Sequence, residues 1–424
     1  KQKTAYEIMP SLVGSEMCIR DRYIYLMMKM EVYKKIFVKP PYKGVSINCA
    51  LSYVDKDTFK MVRICTFQNL SDRPSQQYIS YSTNNGMDWN AGKLLNKYKV
   101  VKDGTIRYST MPWLDEDKGI LFLFHHTIYM KNDEVLTGLY GRKIFYQYSK
   151  DGGNTFTEFS QIIESGGEFD EKHYMRDVWY GRNSASIGNI PIKLSANEIL
   201  LPLYYFPLDR NGRLYNPIGA YTYTNVVFLH GFWRNKYIEW ISSDPITIDP
   251  YKSTRGLSEP AVIELDNGIL FTVMRGSNDR MPSLPGYKWI SVSEDGGWSW
   301  SKPEPFKYDD GEKILSPASY SALIKHSSGK VYWIGNISKT NPVGNSPRYP
   351  LVIGEIDQDK MALKRSTMTI IDTKRRGESK YLQLSNFNVY EDRKTREIVV
   401  TLARLFPQNR EDWTAPCYMY RIKT

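Results

Sequence analysis

The sequence predicts an all-β fold, a six-bladed β-propeller of four-stranded antiparallel blades, and three observations carry that expectation. The first is a turn motif, S-x-D/N-x-G-x-x-W/F, present at Ser82–Trp89, Ser149–Phe156 and Ser293–Trp300. Its copies are spaced 67 and 144 residues apart, the second interval being twice 72. The second is a strand–turn–strand pattern that precedes each motif and recurs six times between residues 38 and 424. The third is an aromatic content of 32 Tyr, 16 Phe and 10 Trp, which suits strands and sugar-stacking surfaces better than helical bundles.

Each element has a local reason. In the motif, Asp or Asn accepts backbone N–H groups across a tight turn, Gly supplies positive φ, and the closing aromatic packs back between strands. Strand-forming runs (YISYS, IFYQYS, WISVS) lead into the three copies, so each reads as a hairpin tip. The preceding hairpins are, in order, residues 45–67, 110–126, 184–206, 259–276, 319–336 and 384–404. The doubled interval predicts a worn fourth motif, for which IEWISSDPI around Ser242 and Asp244 is the candidate. Two strands from each hairpin and two around each tip make one blade. Radial closure of such blades removes long exposed edges, and the strand at 415–422 is expected to close the ring against early chain. No Pro/Gly/Ser linker divides the chain, so 38–424 reads as one domain. Residues 1–22 share no pattern with the rest and read as a non-native or disordered segment, with a natural start near Met27, Met28 or Met30, and 23–37 reads as a lead-in. The N-terminal stretch lacks the layout of a signal peptide.

Composition narrows the function. With 41% hydrophobic and 24% charged residues in 424, a large core is expected, and no window is apolar enough for a membrane helix. The net charge of +11 suits an acidic substrate. The basic run Lys374-Arg375-Arg376 lacks interleaved aromatics and reads as a solvated loop, so no nucleic-acid partner is expected. Five His and four Cys without metal spacing argue against a metal site, and nothing calls for a cofactor. A chain of this size needs no disulfide staple, so it does not read as a disulfide-stapled scaffold.

The segment SEPAVIELDNGILFTVMRG followed by SVSEDGGWSW resembles the sialidase superfamily of six-bladed propellers, whose repeat is the Asp box. The likeness spans about residues 38–424. It implies a base at Glu259, and a substrate carboxylate held by Arg275 and by Arg348, which lies 73 residues further on in SPRYPLVIGEI. A planar guanidinium grips a carboxylate bidentately where Lys does not. It also implies that Asp151 and Asp295 are scaffold residues. Two departures stand out. The family's first arginine has no counterpart in YKGVSIN, which offers Lys43, and its nucleophilic tyrosine falls on Leu384, with Tyr381 three residues upstream.

Registering the hairpins on their turns, the first being too worn to register, places His126, Tyr205, Arg275, Asn336 and Arg404 at equivalent positions near the axis, with Tyr320 and Asn386 near the level of Glu259 and Arg182 beside Asn183. The expected site therefore has Glu259, His126, Tyr320 and Asp103 (in VVKDGTIRY, as acid) as catalytic candidates. Arg275, Arg348, Arg404, Arg182, Tyr205 and Asn336 are the substrate-binding candidates. Three functions fit. One is a sialidase-like glycoside hydrolase acting on an acidic sugar, with Glu259 activating water directly or through Tyr320 or Tyr381. Another is a lyase on a uronate polymer, with arginine neutralising the carboxylate and His126 or a tyrosine moving the proton. The third is a non-catalytic carbohydrate-binding propeller.

Overall fold

The computed structural model describes residues 30–424, so the expectations for 1–22 and for 23–29 lie outside the described residues. Six antiparallel blade sheets follow one another along the described chain, with a two-stranded ribbon, His173–Met175 and Val178–Trp179, between the second and third. The first blade is Ser46–Tyr53, Met61–Gln68, Pro74–Ser82 and Lys93–Lys97. The second is Gly104–Asp115, Ile120–Lys131, Arg142–Ser149 and Ser160–Gln161, widened by Lys99–Val101. The third is Ala185–Ile187, Ile199–Tyr205, Asn225–Arg234 and Tyr237–Ser242, and the fourth Ser258–Glu264, Leu270–Arg275, Lys288–Ser293 and Glu304–Pro305. The fifth is Ala322–Lys325, Val331–Asn336 and Leu351–Asp357, with both Ala362–Leu363 and Thr369–Asp372 on its outer side. In the sixth, Asn388–Glu391, Ile398–Ala403 and Cys417–Lys423 are completed by Glu31–Val38 from the start of the described chain. That strand begins inside the stretch read as a lead-in and runs antiparallel to Cys417–Lys423, from Glu31 opposite Lys423 to Val38 opposite Cys417. Both ends of the described chain thus meet in one sheet, which closes the ring.

Second strands such as ILLPLYY and VYWIGN read as nearly continuous apolar runs because each blade is covered on both faces by its neighbours. Separate core clusters fill the seams. Phe122, Phe124, Leu201 and Trp240 lie between the second and third blades, and Ile334, Leu351, Val400 and Tyr420 between the fifth and sixth. No helix among the described residues is long and apolar enough to cross a membrane.

The turn motifs form as their chemistry requires. Asp151 accepts hydrogen bonds from the Ser149 hydroxyl (2.7 Å) and the Thr155 N–H (2.9 Å), and Trp300 Nε1 donates to Gly297 O at 3.0 Å. In the fourth blade, Ser258, Arg275 and Lys288 are aligned at one end of the ladder, and Leu270 pairs with Ser293 at the other. The motif after Ser293 therefore sits on the face opposite Glu259 and Arg275. The worn copy at Ser242 is corrected: no such turn forms there. Ile246 occupies the glycine position and pairs instead with Val226, and the Ser242 N–H and hydroxyl bond to Glu164. The described residues hold one disulfide. Cys49 and Cys65 are bonded because adjacent strands of the first blade set them directly opposite one another, while Cys417 is a free, buried thiol.

Candidate active site

The fourth blade builds the centre of the site through a defect in its innermost strand. Ser258 pairs with Arg275 and Ala261 with Val273, so Glu259 and Pro260 together oppose Met274. This is a β-bulge, and it re-aims a side chain locally. Glu259 takes a φ of 48°, a left-handed conformation that costs a non-glycine residue about 1–2 kcal/mol. The third blade makes room for it. Gly188 lies so close that an added Cβ would sit 2.5 Å from Pro260 Cδ and 3.2 Å from Glu259 Cα. In the sixth blade Asn386, also left-handed (φ 59°), occupies the corresponding place.

The bulge presents Glu259 to a cavity of about 640 Å³ whose lining comes from all six blades, which places it on the propeller axis. Glu259 Oε1 accepts a hydrogen bond from Arg275 Nη1 at 2.7 Å, and Arg275 Nη2 donates to Asn345 Oδ1 at 3.1 Å. Glu259 Oε2 is buried and accepts no hydrogen bond from the protein. Arg348 Nη1 donates to Gln383 Oε1 and Nη2 to the Ala318 carbonyl, both at 3.0 Å, leaving Nε buried without a partner. Arg255, from the loop preceding the bulged strand, donates to Thr222 Oγ1 at 2.8 Å and lies over the Tyr221 ring. Arg142 and Arg410 complete the basic lining, against Asp72, Glu259 and Asp279. Among these five arginines only Arg275 makes an ion pair within the described residues.

The electrostatics follow from this crowding. Burial and then the field of Arg275 push the Arg348 guanidinium down to about 10, and the same two causes lower Arg255. Burial favours the neutral form of Glu259, but Arg275, Arg348 and Lys288 outweigh it, so its carboxyl lies below the ordinary value. Lys288 is fully buried beneath, its Nζ donating to the Pro317 carbonyl and to the carbonyl and hydroxyl of Ser319. Burial, followed by Arg275, holds it well below the usual lysine range.

Of the ten sequence-derived candidates, the cavity gathers Glu259, Arg275 and Arg348. The structure does not bring the other seven into its lining. His126 is turned into the seam with the third blade, where its Nε2 accepts the Ile187 N–H at 2.7 Å. Burial pushes its pKa down to about 3. Tyr320 lies beneath the cavity and donates to Asn189 Oδ1 at 2.6 Å; burial and then Glu259 raise its pKa. Asp103 is at an exposed hairpin tip, and its backbone carbonyl accepts from the Asn132 N–H at 2.9 Å and the Tyr129 hydroxyl at 3.5 Å. Arg404 is saturated by Asp372 (3.2 Å) and Glu378 (2.7 Å). Arg182 is exposed, with its guanidinium over Trp179. Tyr205 faces the core, and its neighbour Tyr204 lines the cavity instead. Asn336 is buried and donates to the carbonyls of Arg348, Pro350 and Leu384, which fixes the backbone carrying Arg348. Leu384 is in the core, and Tyr381 is 42% exposed outside the cavity.

Sequence reasoning missed Arg255 and Asp72. Arg255 sits three residues before the bulged strand and could have been found as the nearest cation to Glu259. Asp72 lies in the turn joining the second and third strands of the first blade, left-handed at φ 56° and bonded only by the Ser71 hydroxyl at 3.1 Å. Its SDRP context reads as an ordinary turn, so no local signal marked it.

The family described as BNR repeat-like domain matches residues 76–387. No curated protein matches the sequence. The fold is similar to that of the intramolecular trans-sialidase of Ruminococcus gnavus in complex with oseltamivir carboxylate (TM-score 0.59, 13% identity, 92% of this chain and 97% of that one). It is also similar to an α-L-arabinanase of Penicillium chrysogenum complexed with arabinobiose (TM-score 0.54, 15% identity, 93% and 98%). A third likeness is to an α-L-arabinofuranosidase of Fusarium graminearum in complex with an iminosugar inhibitor (TM-score 0.53, 13% identity, 93% and 96%).

Proposed function

The chain belongs to the BNR repeat-like domain family and has the six-bladed fold of the sialidase superfamily, and from that premise we propose that it is a glycoside hydrolase that removes an acidic sugar from the end of a glycan. One observation carries the reading: Arg255, Arg275 and Arg348 converge beside Glu259 in an axial cavity whose lining has more arginines than carboxylates. Clustered buried cations are costly without a counter-charge, and a bound carboxylate supplies one. Arg255 provides the guanidinium that YKGVSIN lacks. A pocket walled by six blades suits a chain end.

Glu259 is the base. Its charge is held by the surrounding cations, and Oε2 has no hydrogen-bond partner in the protein, which leaves it free to accept from an attacking water once the side chain turns toward the cavity. Direct water activation is favoured over a tyrosine nucleophile, since Leu384 is in the core and the Tyr320 phenol is engaged by Asn189. Asp72, the least engaged carboxyl of the lining, protonates the leaving oxygen. This replaces Asp103 in that role. A lyase mechanism resting on His126 is disfavoured by that ring's placement in a seam.

The test is release of free sugar from aryl glycosides of sialic and glucuronic acids by the wild type and by Glu259→Gln. General-base loss is expected to lower kcat about 10²–10⁴-fold, with the circular dichroism spectrum retained. Wild-type turnover in the variant removes Glu259 from the mechanism. Formation of an unsaturated uronate absorbing in the ultraviolet would replace hydrolysis by elimination.

A further inference from the structure

The turn Gln68–Arg73 stands between two cavities. Gln68, Ser71 and Asp72 line the axial one, whereas Asn69 and Leu70 line a second, shallow and open one toward the rim of the first and sixth blades. Arg410 lines both, so the two are adjacent. Trp413 and Glu411 also line the second. The Trp413 ring is braced edge-on by Phe406 at 5.0 Å between centroids, and the loop carrying it is tied by the Gly44 N–H to Thr414 Oγ1 at 2.7 Å. Leu70 at the tip of the turn is 45% exposed.

We propose that this second cavity is the leaving-group subsite, binding a neutral sugar unit from which the acidic residue is cleaved. The inference rests on the hydrolase reading above and deepens it. Asp72 lies on the turn dividing the cavities, so an oxygen that it protonates leaves toward Asn69, Leu70 and Trp413. A braced indole and a leucine offer the apolar platform on which a pyranose face packs. Arg410 and Glu411 offset each other, so the charge excess of the axial cavity does not extend here, and Glu411 disfavours a second carboxylate. The substrate is therefore a neutral oligosaccharide capped by one acidic sugar.

The experiment is calorimetric titration of the full chain carrying Glu259→Gln, which leaves the probes intact. Three probe pairs are used: N-acetylneuraminic acid and 3′-sialyllactose, glucuronic acid and glucuronosyl-xylose, and arabinose and arabinobiose. In a pair that binds, the longer probe is expected to bind about tenfold more tightly, the scale of one good stacking contact. That ratio should fall to near one with Trp413→Ala. Leu70→Glu, at an exposed turn that needs no repacking, should do the same if Trp413→Ala unfolds. A ratio near one in the parent, or one unchanged by both substitutions, overturns the subsite. Acidic probes binding with a ratio of one leave the hydrolase reading standing and the subsite refuted. Binding confined to the arabinose pair, with the ratio sensitive to Trp413, supports the subsite and refutes the acidic cap. No binding by any pair overturns both.

Discussion

Gly188→Ala tests whether the bulge that aims Glu259 is held by packing. The new Cβ would stand 2.5 Å from Pro260 Cδ and 3.3 Å from Pro260 Cγ. Relaxed carbon contacts lie near 3.5 Å, so one side must retreat by about 1 Å. A proline ring has no rotamer with which to yield, and Gly188 is fixed by its N–H to the Pro202 carbonyl at 2.8 Å. The bulge therefore moves, and Glu259 with it. Overpacking of this kind costs about 1–3 kcal/mol of stability. A displacement of about 1 Å at the reacting group costs on the order of 10²-fold in rate. The assay is kcat and KM on the acidic aryl glycoside that proves to be turned over, with a urea melt on the same preparation. A fall in kcat far exceeding the stability loss is expected, because Gly188 touches no substrate. Wild-type kcat with a wild-type melt would show that the contact does not hold the bulge and would refute this account of how Glu259 is aimed.

Arg275→Ala is expected to raise KM for a carboxylate substrate by about 10–100-fold, the scale of a lost charge-assisted bond, and much less for its methyl ester; equal losses on both would mean no carboxylate clamp. Reducing Cys49–Cys65, which closes a separation of 16 residues, should cost about 3 kcal/mol, read as a lower melting temperature in dithiothreitol that Cys65→Ser reproduces. Stability should decline in acid in two stages. His126, held near 3 against an ordinary 6.5, resists protonation that the unfolded chain accepts, so stability falls as pH drops below about 6.5. Glu259, lowered from 4.5, contributes stability that is complete above that value and is lost as pH falls through its lower folded value. Urea midpoints at pH 7, 5.5, 4 and 3 measure both stages, and His126→Gln should reduce the first, which His125, pushed down to about 4 by burial, shares.

The candidates that held together in space are those whose geometry is local. Glu259 and Arg275 belong to one hairpin, where the antiparallel ladder fixes their proximity, and Arg348 follows one blade later at the repeat's own spacing. The candidates transferred by counting from each turn scattered, because that count assumes strands of equal length. Ile120–Lys131 has 12 residues where Leu270–Arg275 has 6, so His126 lies mid-strand, turned into a seam. At Tyr205 the slip is a single residue, and in a strand one residue reverses the face. Arg404 lies just past its strand, where Asp372 from the fifth blade's outer strand and Glu378 from the loop beyond it meet it.

The repeat arithmetic, the glycine-dependent turns and the alternation of apolar strands determined the propeller and the hairpin at its candidate site, since each depends on residues near one another in the chain. Which side chains face the axis was decided only when the ring closed. Arg255, Asp72 and the Trp413 platform come from loops on three different blades, and no sequence spacing encodes the convergence of loops whose positions are set by the packing of sheets beneath them.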